Sequence, residues 1–339
     1  MTSLVITVTE TLRYRGAIGQ WSWVLHRLSG LGVVLFLVLH VVDTSWAVFW
    51  PELYEEAIAT YQSPLFTIGE FGLVAAVVYH AFNGLRIVFF DYNPHLWRHQ
   101  QRAAQIVLLV TLVVLAPVFL LMFGHVLDFY NSAPQVLPLT EVLRAQLVFL
   151  PGFIAAIVAA LILSGLHGLI SGGDSATGAV DPQGSRSERF WWSFMRVSSL
   201  LILPLVFGHL AVMHVLQGVF DITAQGHDVV GTGGVINESG TAVEFVANRW
   251  NLLVGGVAVW RAYDFALLVL VVAHGFNGLR YVLTDYTSHS PLLRRASVYL
   301  CMLGALTLLV LGVGALLGTI DETAIEMGVE ALEHLRAGP

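Results

Sequence analysis

Seven long apolar stretches dominate this chain, at about 22–49, 66–90, 103–127, 142–171, 190–217, 260–284 and 295–319. The hydrocarbon core of a bilayer is crossed by about 20 residues of helix. Lipid offers the backbone no hydrogen-bond partner, so a spanning segment must satisfy its own N–H and C=O groups. The expected fold is therefore an all-α integral membrane protein with seven transmembrane helices. With 56% hydrophobic and 12% charged residues, the composition excludes an ordinary soluble domain.

Other classes of chemistry are absent from the sequence. The single cysteine, Cys301, lies inside an apolar stretch. One thiol forms no internal disulfide and cannot hold an iron–sulfur cluster, which takes about four ligands. There is no GxGxxG and no Walker motif, so no nucleotide or flavin site is expected, and no nucleic-acid partner. The N-terminus lacks the charged-then-apolar build of a signal peptide. Residues 4–12 alternate apolar and polar, as a short strand pairing with a partner would.

Orientation rests on arginine, because the chain has no lysine. Twelve of the sixteen arginines fall in the N-terminal region, at the second-to-third, fourth-to-fifth and sixth-to-seventh connections, or at adjoining helix ends. The positive-inside rule puts those segments and the N-terminus in the cytoplasm. Seven crossings then place the acidic tail, 321–339, outside. The stretch SGGDSATGAVDPQGS, 171–185, reads as a linker. The glycine-rich segment 218–259 reads as an ordered external loop with a small hairpin.

A repeat organises the rest. HAFNGLRIVFFDY, 80–92, returns as HGFNGLRYVLTDY, 274–286, identical at nine of thirteen positions and offset by 194 residues. The first and fifth stretches share R-x-S-x10-H, as Arg27, Ser29, His40 and as Arg196, Ser198, His209. Trp23 and Trp192 each precede the arginine by four residues. Two similar hairpins therefore point the same way, related by a pseudo-two-fold axis along the membrane normal.

Ionisable residues inside a span mark function. The axis brings His80 to face His274, and His40 to face His209. Facing imidazoles supply the two axial ligands of a low-spin haem iron, and two pairs at different depths suit two stacked haems. Gly84 and Gly278 each lie four residues after a motif histidine, on its face, where a missing side chain leaves room for a flat ring. They also suit plain close helix packing. Arg86 and Arg280 lie about 9 Å along the helix from His80 and His274. They suit haem propionates, a docked partner or a membrane-edge anchor. His214, five residues after His209, is about 140° away on a regular α-helix and reads as a partner around the haem, or as a substitute ligand for His209. His26 and His40 are spaced to serve two haems from one helix, but no second helix repeats that spacing, so His26 is placed around the haem. Glu70 reads as a helix cap at the outer interface, or as a proton carrier for a distal quinone site.

These motifs resemble the cytochrome b membrane anchors of succinate dehydrogenase and fumarate reductase. HRLSG at 26–30, H-x3-G-L-R-x4-D at 80–91 and H-x3-G-x6-D-Y at 274–286 carry the resemblance, and FWWSFMRVSS and FGHLAVMH extend it toward the single-chain, two-haem members. It implies a first anchor half at 1–130, an extra helix with the linker at 131–185, and a second half at 186–320. It also implies haem b, with His80 and His274 as one ligand pair and His40 and His209 as the second. A quinone site is implied at Arg27, Asp285 and Tyr286, with Ser22 and Trp23 beside it. The family's serine stands four residues before the arginine, where this chain has Trp23. With the second histidine pair, that departure points to menaquinone. The implied partners are a flavoprotein subunit and an iron–sulfur subunit on the cytoplasmic side, in a bacterial plasma membrane. A fumarate-reducing anchor is the near alternative. The distant one is a haem-free parallel-repeat transporter, for which Pro204 is the candidate helix break.

Overall fold

A computed structural model describes residues 16–132, 134–170 and 186–337. The expected strand at 4–12 and the linker at 171–185 lie outside the described residues. Seven helices are long and apolar enough to cross a membrane: α1 (Ile18–Phe49), α3 (Pro64–Tyr92), α4 (Pro94–Asn131), α5 (Leu139–Ile170), α6 (Arg186–Leu216), α8 (Val259–Thr287) and α9 (Pro291–Leu317). Among the described residues the shorter α-helices are α2 (Pro51–Tyr61), α7 (Ala242–Trp250) and α10 (Glu322–Ala337). Proline opens α2, α3 and α9 at the first helical turn, where its missing N–H costs nothing.

The two hairpins α1–α3 and α6–α8 pack into a four-helix core, with α1 against α8 and α3 against α6. α4 leans on α3, α9 on α8 and α1, and α5 on α9. Two polar contacts fix α5: Ser164 Oγ donates to the Leu292 carbonyl at 2.6 Å, and His167 Nδ1 meets the Tyr299 hydroxyl at 2.8 Å.

The fifth span, α6, departs from the regular helix expected over 190–217. From Ala211 to Leu216 it winds as a π-helix. Two perturbations of its hydrogen-bond ladder precede this: Pro204, which has no N–H, and the Tyr263 hydroxyl, which donates to the Leu205 carbonyl. The wider turn changes the phase between His209 and His214, and both line one cavity.

The segment 218–259 and the C-terminal tail form a cap over one end of the core. The small hairpin is present, with Leu253–Val254 (β1) antiparallel to Val257–Ala258 (β2). The segment also holds α7, and the tail carries the amphipathic α10. α2, α7 and α10 pack on one another. Thr241 caps α7, its Oγ1 accepting from the Glu244 N–H at 3.1 Å, while the Glu244 carboxylate accepts from the N–H groups of Glu238 and Ser239. Glu55, 2% exposed, reaches from α2 to accept the Val243 N–H at 2.8 Å. Its burial raises the Glu55 carboxyl to about 7. Arg261 ties the cap to the bundle by donating to the carbonyls of Trp250, Leu316 and Gly318.

Candidate functional site

All four candidate ligands, His40, His80, His209 and His274, line one apolar cavity of about 1540 Å³ inside the four-helix core. Ordinary small-molecule pockets span about 300–1,000 Å³, so the space suits more than one large group. Gly84, Gly278, His26 and His214 face the same cavity.

The two motif histidines are held alike, each by its own hairpin. His80 Nδ1 lies 3.1 Å from the His26 carbonyl and 3.3 Å from Ser29 Oγ. A carbonyl only accepts, so Nδ1 carries the proton. His274 Nδ1 lies 2.9 Å from Ser198 Oγ. A nitrogen occupied this way leaves Nε2 for a metal, the usual arrangement behind a ligating histidine. The repeated R-x-S serine thus has a role that spacing alone did not reveal. Gly30 allows it on α1, since a Cβ there would fall 2.8 Å from His80 Cε1.

His26 stacks flat on His80, with ring centroids 4.0 Å apart and planes within 7°. A Cβ on Gly84 would stand 3.5 Å from His26 Cε1, and one on Gly278 would stand 3.8 Å from Met195 Cε. The second pair meets across the axis: the His40 and His209 rings are 6.0 Å apart at 74°. Two metal–nitrogen bonds of about 2 Å, plus the reach from nitrogen to ring centre, give a separation of that order. His209 Nδ1 is buried without a hydrogen-bond partner. Among the described residues no group of three or more metal-binding side chains gathers.

At the arginine-rich edge each hairpin's arginine reaches the other's Asp-Tyr. Arg27 bonds Asp285, and its guanidinium lies 4.4 Å from the Trp23 ring and 5.9 Å from the Tyr286 ring. Arg196 bonds Asp91 and lies 3.9 Å from the Trp192 ring. Ser22 is not part of the first group. It is buried between α1 and α3, donating to Asn83 Oδ1 at 2.8 Å and touching the Tyr79 hydroxyl. Arg86 is buried and faces the cavity, with Nε unpartnered. Its repeat mate Arg280 instead pairs with Glu188 at 2.9 Å and stacks on Tyr281.

At the capped end, Glu70 is no helix cap. It accepts from His214 at 2.6 Å, inside α3. Asp264 stands at the same place in the second hairpin, ten residues before its histidine, and accepts from Trp250 Nε1 at 3.0 Å. Sequence reading missed Asp264, although the 194-residue offset that relates the motifs also relates Glu70 to Asp264.

Residues 7–121 match the family model described as succinate dehydrogenase/fumarate reductase transmembrane subunit. The chain is 37% identical over 118 residues to the succinate dehydrogenase 2 membrane subunit SdhC of Mycobacterium tuberculosis, covering 35% of this chain and 87% of that relative. It is 29% identical over 101 residues to the succinate dehydrogenase hydrophobic membrane anchor subunit of Halobacterium salinarum, covering 30% of this chain and 78% of that relative. No solved structure matches the chain significantly.

Proposed function

Because this chain belongs to the succinate dehydrogenase/fumarate reductase transmembrane subunit family, we propose that it holds two b haems between its hairpins and delivers electrons to a membrane quinone. One observation carries the reading: two hairpins of one repeat each bring serine-held or facing histidines to a single apolar cavity. His80 and His274 are the ligands of one haem, and His40 and His209 of the other. The haems supply one-electron steps between a partner's iron–sulfur clusters and the quinone. The chain's own task is to fix ring planes through Ser29, Ser198 and His26, and to keep water from the cavity.

The quinone site is the open corner of Arg27, Asp285 and Tyr286, with Trp23 as its aromatic flank. Oxidation of succinate to fumarate releases two electrons and two protons, and quinone takes up two of each to become quinol. Tyr286 donates a hydrogen bond to a quinone carbonyl, and Arg27 stabilises the charge that develops on reduction. Menaquinone is the proposed acceptor. The flavoprotein and iron–sulfur subunits dock on the arginine-rich side, which is cytoplasmic by the positive-inside rule.

A reduced-minus-oxidised spectrum of the purified complex tests this. We expect b-type bands and two haems per chain, with His209→Ala losing one of them. A complex without b-type absorption overturns the reading.

A further inference from the structure

Two arginines that line the cavity have no carboxylate partner among the described residues, and they stand at its opposite ends. Arg86 is at the arginine-rich end. Arg249 is at the other, and it comes from α7, in the cap rather than in the repeat. Arg249 is 5% exposed. Its Nη1 donates to Met213 Sδ at 2.7 Å, and its guanidinium lies 4.1 Å from the Trp260 ring. A thioether is a weak acceptor. A buried guanidinium without an anion costs several kcal/mol. The neighbouring acids have donors of their own: Asp43 has Tyr61, Glu70 has His214 and Asp264 has Trp250. Met213 follows His209 by four residues, so Arg249 reaches the cavity about one helical turn beyond the second histidine pair.

We propose that Arg249 binds the carboxylate side chains of the haem held by His40 and His209, so that the cap supplies part of that haem's site. The inference rests on the two-haem reading. The ferric haem carries one more positive charge than the ferrous form. A carboxylate-bound cation beside it therefore favours reduction and raises the midpoint potential.

Redox titration of the b-type absorption in the whole purified complex tests the assignment. The wild type should titrate in two waves, one of them missing in His209→Ala. Arg249→Met should lower the midpoint of that wave, or remove it, and leave the other unchanged. Arg249→Lys, which keeps the charge and stands in if the methionine variant does not assemble, should lower it by less. The double variant Arg249→Met/Asp264→Asn separates a simple charge balance from haem binding. Recovery of the wild-type midpoint there would mean that Arg249 only offsets Asp264, which overturns the proposal. So would two wild-type waves in Arg249→Met. A wild type with a single wave overturns the two-haem reading as well.

Discussion

The two corners of the arginine-rich edge share one sequence recipe and differ in how far they are closed. Each has a tryptophan, an arginine four residues later, and an Asp-Tyr from the opposite hairpin. In one, Arg196 gives Nε and Nη2 to Asp91 and Nη1 to the Trp192 carbonyl, and the two side chains are 18% and 16% exposed. In the other, Arg27 is tied to Asp285 by Nη2, and Asp285 is 61% exposed. A saturated, half-buried pair clamps helices together. An arginine with free donors beside an exposed carboxylate and an exposed tyrosine is placed to receive a ligand. One corner of the repeat is thus closed on itself and the other open.

The sharpest way to break that comparison is to remove both aspartates in turn. Asp91→Ala leaves the half-buried Arg196 without its carboxylate, and should cost roughly 2 kcal/mol, read as a lower thermal midpoint of the complex in detergent. Asp285→Ala removes an exposed partner and should change that midpoint by no more than about 1 kcal/mol. Equal losses would show that the corners are equivalent.

Arg27→Ala should lower quinone reduction by about 10–100-fold, the worth of a charge-assisted hydrogen bond, with haem content unchanged. Succinate oxidation with an artificial acceptor should persist, which separates the anchor's defect from its partners'. A smaller test compares the serines. His274 Nδ1 has Ser198 as its hydrogen-bond partner, whereas His80 Nδ1 has both Ser29 and the His26 carbonyl. Ser198→Ala should therefore weaken haem retention by about tenfold, and Ser29→Ala by less. The smallest effect is at the tyrosines: Tyr286→Phe should slow quinone reduction by about fivefold, and Tyr92→Phe should leave it unchanged.

What could be read from the sequence follows from how strongly each physical constraint acts. The bilayer forces long apolar runs, so the seven spans fell within about four residues of their observed ends, except at the start of α4, which lies nine residues earlier than expected, at Pro94. Repetition singled out the histidines that line the cavity, but the cross-hairpin Arg27–Asp285 and Arg196–Asp91 contacts were not expected from it. The cap was harder. PELYEEAIATY is short and half polar, and its helix is stabilised by Glu55 capping a helix 188 residues away. For α7 a local signal existed in Thr241-x-x-Glu244. The π-turn at 211–216 left no mark beyond Pro204, because it depends on a tyrosine from another helix. The stack of His26 on His80 joins residues 54 positions apart, which no local pattern encodes.

The fifth helix now has an explanation that needs no ligand. It is among the least enclosed spans, with 11% of its apolar window buried, and it contributes no histidine to the cavity pairs. A unit of three crossings ends on the side opposite its start. Two such units joined head to tail would mount the second upside down and turn its histidines to the wrong depths. One extra crossing restores the parity. α5 is a return stroke whose length matters more than its side chains. Exchanging its lipid-facing residues should be tolerated, whereas deleting it should invert half of the molecule.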